Sequence, residues 1–104
     1  MMKLRRPTIY NVTLTNGTTE YSQALPANVR AFALQARGAA DVLWAHEAGK
    51  VAGASGTATA VAPYMTLKSG GAFWADNIEP EGALTVYLAS ASSDVVVEIA
   101  AWSW

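Results

Sequence analysis

Along most of this chain the larger apolar side chains recur at spacing two, and the runs that carry them are short. From Thr8 to Thr15, Tyr10, Val12 and Leu14 fall on one face, with Asn11, Thr13 and Thr15 on the other. Such alternation marks a half-buried strand, and the Asn16-Gly17 pair that follows signals a two-residue hairpin turn. The return strand is expected over Thr18–Leu25, ended by Pro26, which has no N–H to give to a ladder. In Asn28–Arg37 the bulkier Phe32, Leu34 and Ala36 alternate with Ala31, Ala33 and Gln35, which predicts a strand in spite of the alanines; Gly38-Ala39-Ala40 breaks it. Asp41–Glu47 predicts a further strand, with Val42, Trp44 and His46 on one face and Leu43, Ala45 and Glu47 on the other.

Val51 to Ala62 is built almost wholly of small residues, and Pro63 closes it. With no large side chain to hold it to a core, it is expected to be a long loop, mobile or ordered by a partner, with at most a short strand near its end. Beyond it, β-branched and aromatic residues gather in Tyr64–Lys68, Ala72–Ala75, Leu84–Ala89 and Val95–Trp102, separated by Ser69-Gly70-Gly71, by Asp76–Gly82 and by Ser92-Ser93-Asp94. About seven or eight short strands at roughly ten-residue spacing predict an all-β fold, a compact antiparallel β-sandwich of jelly-roll-like form. A basic N-terminal arm, residues 1–7, is expected to precede a single sandwich domain over residues 8–104.

Composition narrows the chemistry. The chain has 104 residues and no cysteine, so one domain is expected, without disulfides, thiolate chemistry or cysteine-based zinc sites. A lone histidine, His46, does not anchor a multi-histidine metal site, so neither metal nor cofactor is expected. Seven Lys plus Arg against eight Asp plus Glu argue against a nucleic-acid partner. Only 14% of residues are charged while 52% are hydrophobic, which leaves a weakly polar surface of Ala, Ser, Thr, Gly and Asn that tolerates burial against a partner. The basic start, MMKLRR, is followed by Pro7-Thr8-Ile9-Tyr10-Asn11 and not by an apolar helical run, so neither a secretion signal nor a membrane span is expected and the chain should be made in a cytoplasm. On that ground the glycosylation patterns at Asn11-Val12-Thr13 and Asn16-Gly17-Thr18 are incidental.

No catalytic motif stands out. His46 and Glu47 are adjacent on an extended segment and point to opposite faces, so they form no direct acid–base pair. Ser22, His46 and Asp41 lack a Gly-x-Ser-x-Gly elbow. Gly53-Ala54-Ser55-Gly56 and Ser69-Gly70-Gly71 lack the Lys-Ser/Thr ending of a phosphate loop. Asp76, Glu79 and Glu81 match no calcium loop. No enzymatic activity is expected. Trp44, Tyr64, Trp74 and Tyr87 offer aromatic faces of the kind that stack on pyranose rings, but the sandwich interior is the simpler place for them. Parity sets Trp102 and Trp104 on one face of the last strand; Trp102 is expected to close the core and Trp104 to contact a neighbour.

Tyr10-Asn11-Val12-Thr13-Leu14, the stretch Glu20 to Asn28 (EYSQALPAN), the stretch Tyr64 to Trp74 (YMTLKSGGAFW), Leu84-Thr85-Val86-Tyr87-Leu88 and Val95-Val96-Val97-Glu98-Ile99 together resemble short tailed-bacteriophage virion proteins in order and spacing over most of the chain. The resemblance implies a small β-sandwich subunit of the head decoration or cement type, bound to the major capsid protein on the outer capsid surface and stiffening the shell against DNA pressure. It implies a virion location and a homo-oligomer, with a trimer expected from lattice symmetry. Lys3, Arg5 and Arg6 of the arm, with Trp104, are the expected contacts to the shell. A receptor- or glycan-binding module of a fibre, or another small head-completion or tail protein, is the alternative.

Overall fold

A computed structural model of the chain describes residues 6–52 and 59–103. Its eight strands are β1 (Thr8–Leu14), β2 (Tyr21–Ala24), β3 (Val29–Arg37), β4 (Val42–Ala45), β5 (Met65–Leu67), β6 (Ala72–Ala75), β7 (Thr85–Ala89) and β8 (Val95–Ser103). They form two four-stranded sheets, in the orders β1-β8-β3-β6 and β2-β7-β4-β5. Every pairing is antiparallel. First strand pairs with last, second with next to last, and so inward to β4 with β5; this is one long hairpin of strand pairs wrapped into two layers, the jelly roll.

The core lies between the sheets because each strand sends alternate residues inward. Leu34, Val97 and Ile99 from the first sheet meet Val42, Val86 and Leu88 from the second, all sealed from solvent. A cluster of rings crosses the gap: Phe32 and Phe73 from one sheet pack against Trp44 and His46 from the other, with centroid separations from 4.8 to 6.3 Å. In β3 the register slips between Val29 and Ala31, so that both Val29 and Phe32 reach the core. The slip is a bulge at Arg30, and it reconciles the inward positions of the strand's two ends.

The hairpin expected at Asn16-Gly17 is not formed. β1 pairs with β8, from Thr8 opposite Ala101 to Leu14 opposite Val95, while β2 pairs with β7 in the other sheet. The Asn-Gly segment therefore crosses from sheet to sheet. Thr18 takes the left-handed conformation there (φ 52°), and its N–H donates to the Ser90 carbonyl at 2.6 Å. A local turn signal is satisfied by either connection. What separates them is burial: β1 gains its inward contacts beside the valine-rich β8, at the far end of the chain.

Val51–Ala62 is a loop in its described parts, residues 53–58 lying outside the described residues, but its start is not without an anchor. Val51 and Ala52 are buried and pack with Ala45 and Ala89, flanked by Leu43 and Tyr87. Leu43, Ala45, Tyr87 and Ala89 pair across β4 and β7 and carry the outward parity of the second sheet, so the start of the loop covers the middle of that sheet's outer face. Glu20 accepts a hydrogen bond from the Gly49 N–H (2.9 Å), and Val61 N–H donates to the Lys50 carbonyl (2.8 Å), which closes the loop at its base. Small side chains thus anchor the start of the loop to the sheet. No strand forms near its end among the described residues.

Candidate interaction face

The first sheet is different on its outside. In β8, Val95, Val97, Ile99 and Ala101 point inward and are buried, which sends Val96, Glu98, Ala100 and Trp102 outward. Trp102 is therefore not a core residue, because Ala101 takes the inward position beside it. On β6 the same alternation turns Trp74 outward, where it is 53% exposed. The two indoles meet edge to face at 5.1 Å, with 72° between ring planes. Trp74 stands opposite Ala33 and Trp102 opposite Ala31. Alanine on the strand between them leaves room for both rings on one surface.

Below this pair the face remains shallow. Ala33, Ala72 and Ala100, with Gln35 and Glu98, line a trough of about 300 Å³ that ends at Ile9. Ile9 on β1 is 64% exposed. An apolar surface of paired tryptophans, isoleucine and alanine with a polar border has the composition of an interface core. Its border is set by Arg37, whose Nη2 donates to Glu98 Oε2 at 2.6 Å and to Asn11 Oδ1 at 3.1 Å, spanning β3, β8 and β1. Both charged side chains are well exposed (57% and 36%), so the pair adds little stability, about 0–1 kcal/mol, and chiefly keeps the border neutral.

A second concavity of about 260 Å³ lies along β4 and the edge strand β5, floored by Trp44 and walled by Pro63, Tyr64, Met65 and His46, with Glu47 at its rim. Tyr64 and Met65 are 40% and 51% exposed, whereas Trp44 is buried. The expectation that Trp44, Tyr64, Trp74 and Tyr87 all pack the interior thus holds for Trp44 alone. Nor do the four gather into one platform, since Trp74 faces out from the other sheet. The His46 Nδ1 lies 3.1 Å from the Thr85 carbonyl; a carbonyl only accepts, so Nδ1 carries the hydrogen.

Asp41 is a structural carboxylate. Its Oδ1 accepts from Ser69 N–H at 2.8 Å and its Oδ2 sits 3.4 Å from Lys68 Nζ, which closes the turn between β5 and β6. The Ser69 N–H, then the Lys68 ammonium, hold its pKa below the ordinary carboxylate value. A lowered folded-state pKa contributes stability that is complete above about pH 4 and disappears as pH falls through Asp41's own, lower value. Thermal melts from pH 5 to pH 2 should therefore show the Asp41→Ala deficit narrowing towards acid; a deficit of constant size would contradict this. Asp76, Glu79 and Glu81 do not converge, and among the described residues no three His, Asp or Glu side chains gather to hold a metal ion.

Of the contacts expected from sequence, Arg6 is exposed just before β1, and Lys3, Arg5 and Trp104 lie outside the described residues. The face itself was missed, although part of its signal is in the sequence: Ile9 shares parity with Asn11 and Thr13, and Trp102 shares parity with Glu98. Comparison of the chain with protein-family models, with curated proteins and with solved structures finds no match.

Proposed function

We propose that this protein is a structural virion subunit of a tailed bacteriophage, bound to the major capsid protein on the outer capsid surface as a decoration or cement protein. The observation that carries the reading is the open outer face of the β1-β8-β3-β6 sheet, where Trp74 and Trp102 meet edge to face over alanine, next to a trough that ends at Ile9. The centre of the opposite outer face, along β4 and β7, is covered by Val51 and Ala52, whereas no such cover lies over the Trp74–Trp102 pair among the described residues. The resemblance of the strand and turn phrases to phage head proteins supplies the partner. Arg6, with Lys3, Arg5 and Trp104, is assigned to the same contact.

The test is co-sedimentation with expanded capsids of the cognate phage. Saturable binding at a fixed ratio to the shell protein is expected. Trp74→Ala with Trp102→Ala should weaken it roughly thirtyfold, the loss typical of a tryptophan anchor. Binding that survives both substitutions would remove this face from the contact, and no binding to heads would remove the reading. The aromatic cleft at Trp44, Pro63 and Tyr64 supports a second reading, a receptor- or glycan-binding fibre module. Glycan-array binding lost on Tyr64→Ala is its expected result.

A further inference from the structure

Four strands end the two sheets, and one of them is unlike the rest. β2, β5 and β6 are four, three and four residues long, whereas β1 has seven. β1 pairs with β8 without a register shift along its whole length, and among the described residues β8 is its only ladder partner. Alternate residues of β1 therefore turn their N–H and C=O groups away from the sheet. Natural sheets blunt such an edge with a charge, a proline, a bulge or brevity. Thr8-Ile9-Tyr10-Asn11-Val12-Thr13-Leu14 uses none of these, and Pro7 stops short of the strand. Along the same flank Tyr10 and Val12, with Tyr21 of β2, are only partly buried against the core.

We propose that β1 is a self-association edge, pairing antiparallel with β1 of a second copy about a two-fold axis at Asn11 and joining two four-stranded sheets into one. That axis sets Thr8 opposite Leu14, Ile9 opposite Thr13 and Tyr10 opposite Val12 of the second copy. Inward residues meet inward residues and outward meet outward, so both cores stay on the same side of the joined sheet. A second copy fits this edge better than a charged partner because the strand is uncharged and the Arg37 guanidinium beside Asn11 is paired with Glu98. Asn11 suits the axis for a further reason. Its Oδ1 accepts from Arg37, which leaves its amide hydrogens to donate to Asn11 of the other copy. The contact consumes the edge that makes it, so assembly closes at two copies, in place of the trimer expected from lattice symmetry. None of this depends on the virion reading.

Sedimentation of the full chain from micromolar to millimolar concentration tests it. The wild type should follow a monomer–dimer equilibrium. Asn11→Lys and Asn11→Glu each place like charges across the axis and should weaken the dimer roughly tenfold; an equimolar mixture of the two should recover wild-type association. Asn11 is exposed and either variant loses only its surface bond from Arg37, so both should melt within a few degrees of the wild type when dilute, which separates a lost contact from a lost fold. A wild type that stays monomeric, a trimer, a dimer indifferent to Asn11→Lys, or a mixture that fails to recover would each overturn the proposal.

Discussion

Replacing Phe32 by alanine should cost roughly 3–5 kcal/mol, the range for emptying a buried aromatic site, and lower the melting temperature by about 15 °C or more. Phe32 is 2% exposed and touches three rings: Trp44 at 6.3 Å, His46 at 5.8 Å and Phe73 at 6.0 Å. Trp44 on β4 and His46 just beyond it belong to the opposite layer, so the ring joins the two layers. Its neighbours cannot collapse into the space left behind. Trp44 is fixed on a strand paired on both sides, and Phe73 on β6 is held in register with Leu34. Phe32→Leu keeps most of the volume and should cost under about 1.5 kcal/mol. Urea denaturation of the two variants checks both figures, and a Phe32→Ala loss under about 1 kcal/mol would show that the sheets are not joined through this ring.

Gly17→Ala should destabilise the fold by about 1–3 kcal/mol although the residue lies in a polar connection. A Cβ at Gly17 would sit 2.6 Å from the Ala91 carbonyl oxygen and 3.3 Å from its carbon. These are backbone atoms of the link between β7 and β8, so no side chain can swing aside. The neighbouring Thr18 N–H bond to Ser90 pins the two segments together. The control is Asn16→Ala, an exposed side chain next door, which should stay within about 0.5 kcal/mol of wild type. Were the Asn-Gly pair the turn of a hairpin, both substitutions would be costly; here only the glycine is, because its role is close approach. Wild-type melting of Gly17→Ala would show that the two connections are not in contact.

The outward face links these core contacts to function. Val95, Val97 and Ile99 fix the parity of β8 by filling the core, and that parity is what delivers Glu98, Ala100 and Trp102 to the outside. An interaction face read in this way is a consequence of core packing.

How far sequence reading reached can be traced through particular residues. The strands at Asn28–Arg37, Ala72–Ala75 and Val95–Trp102 were legible because alternation is a local property of the pleat, and their observed bounds differ by a residue or less. The sandwich class followed from strand number and spacing. The Asn16-Gly17 hairpin failed because a turn signal is local while the choice of partner for β1 is made eighty-odd residues away, at β8. The anchored start of the loop at Val51 was not legible because burial there comes from the fit of Val51 and Ala52 against Ala45 and Ala89 on a sheet face, which depends on facing surfaces and not on side-chain size.

The candidate site divides along the same line. Sequence alone determined an all-β chain without cysteine, nearly neutral, with tryptophans and small residues available for a surface. Only the tertiary structure decided which surface: it set Trp74 beside Trp102 from strands twenty residues apart in the chain and laid Val51 and Ala52 over the middle of the other sheet. The physical reason is that period two assigns each residue to one of two faces, but which face becomes the inside is settled by non-local pairing and burial.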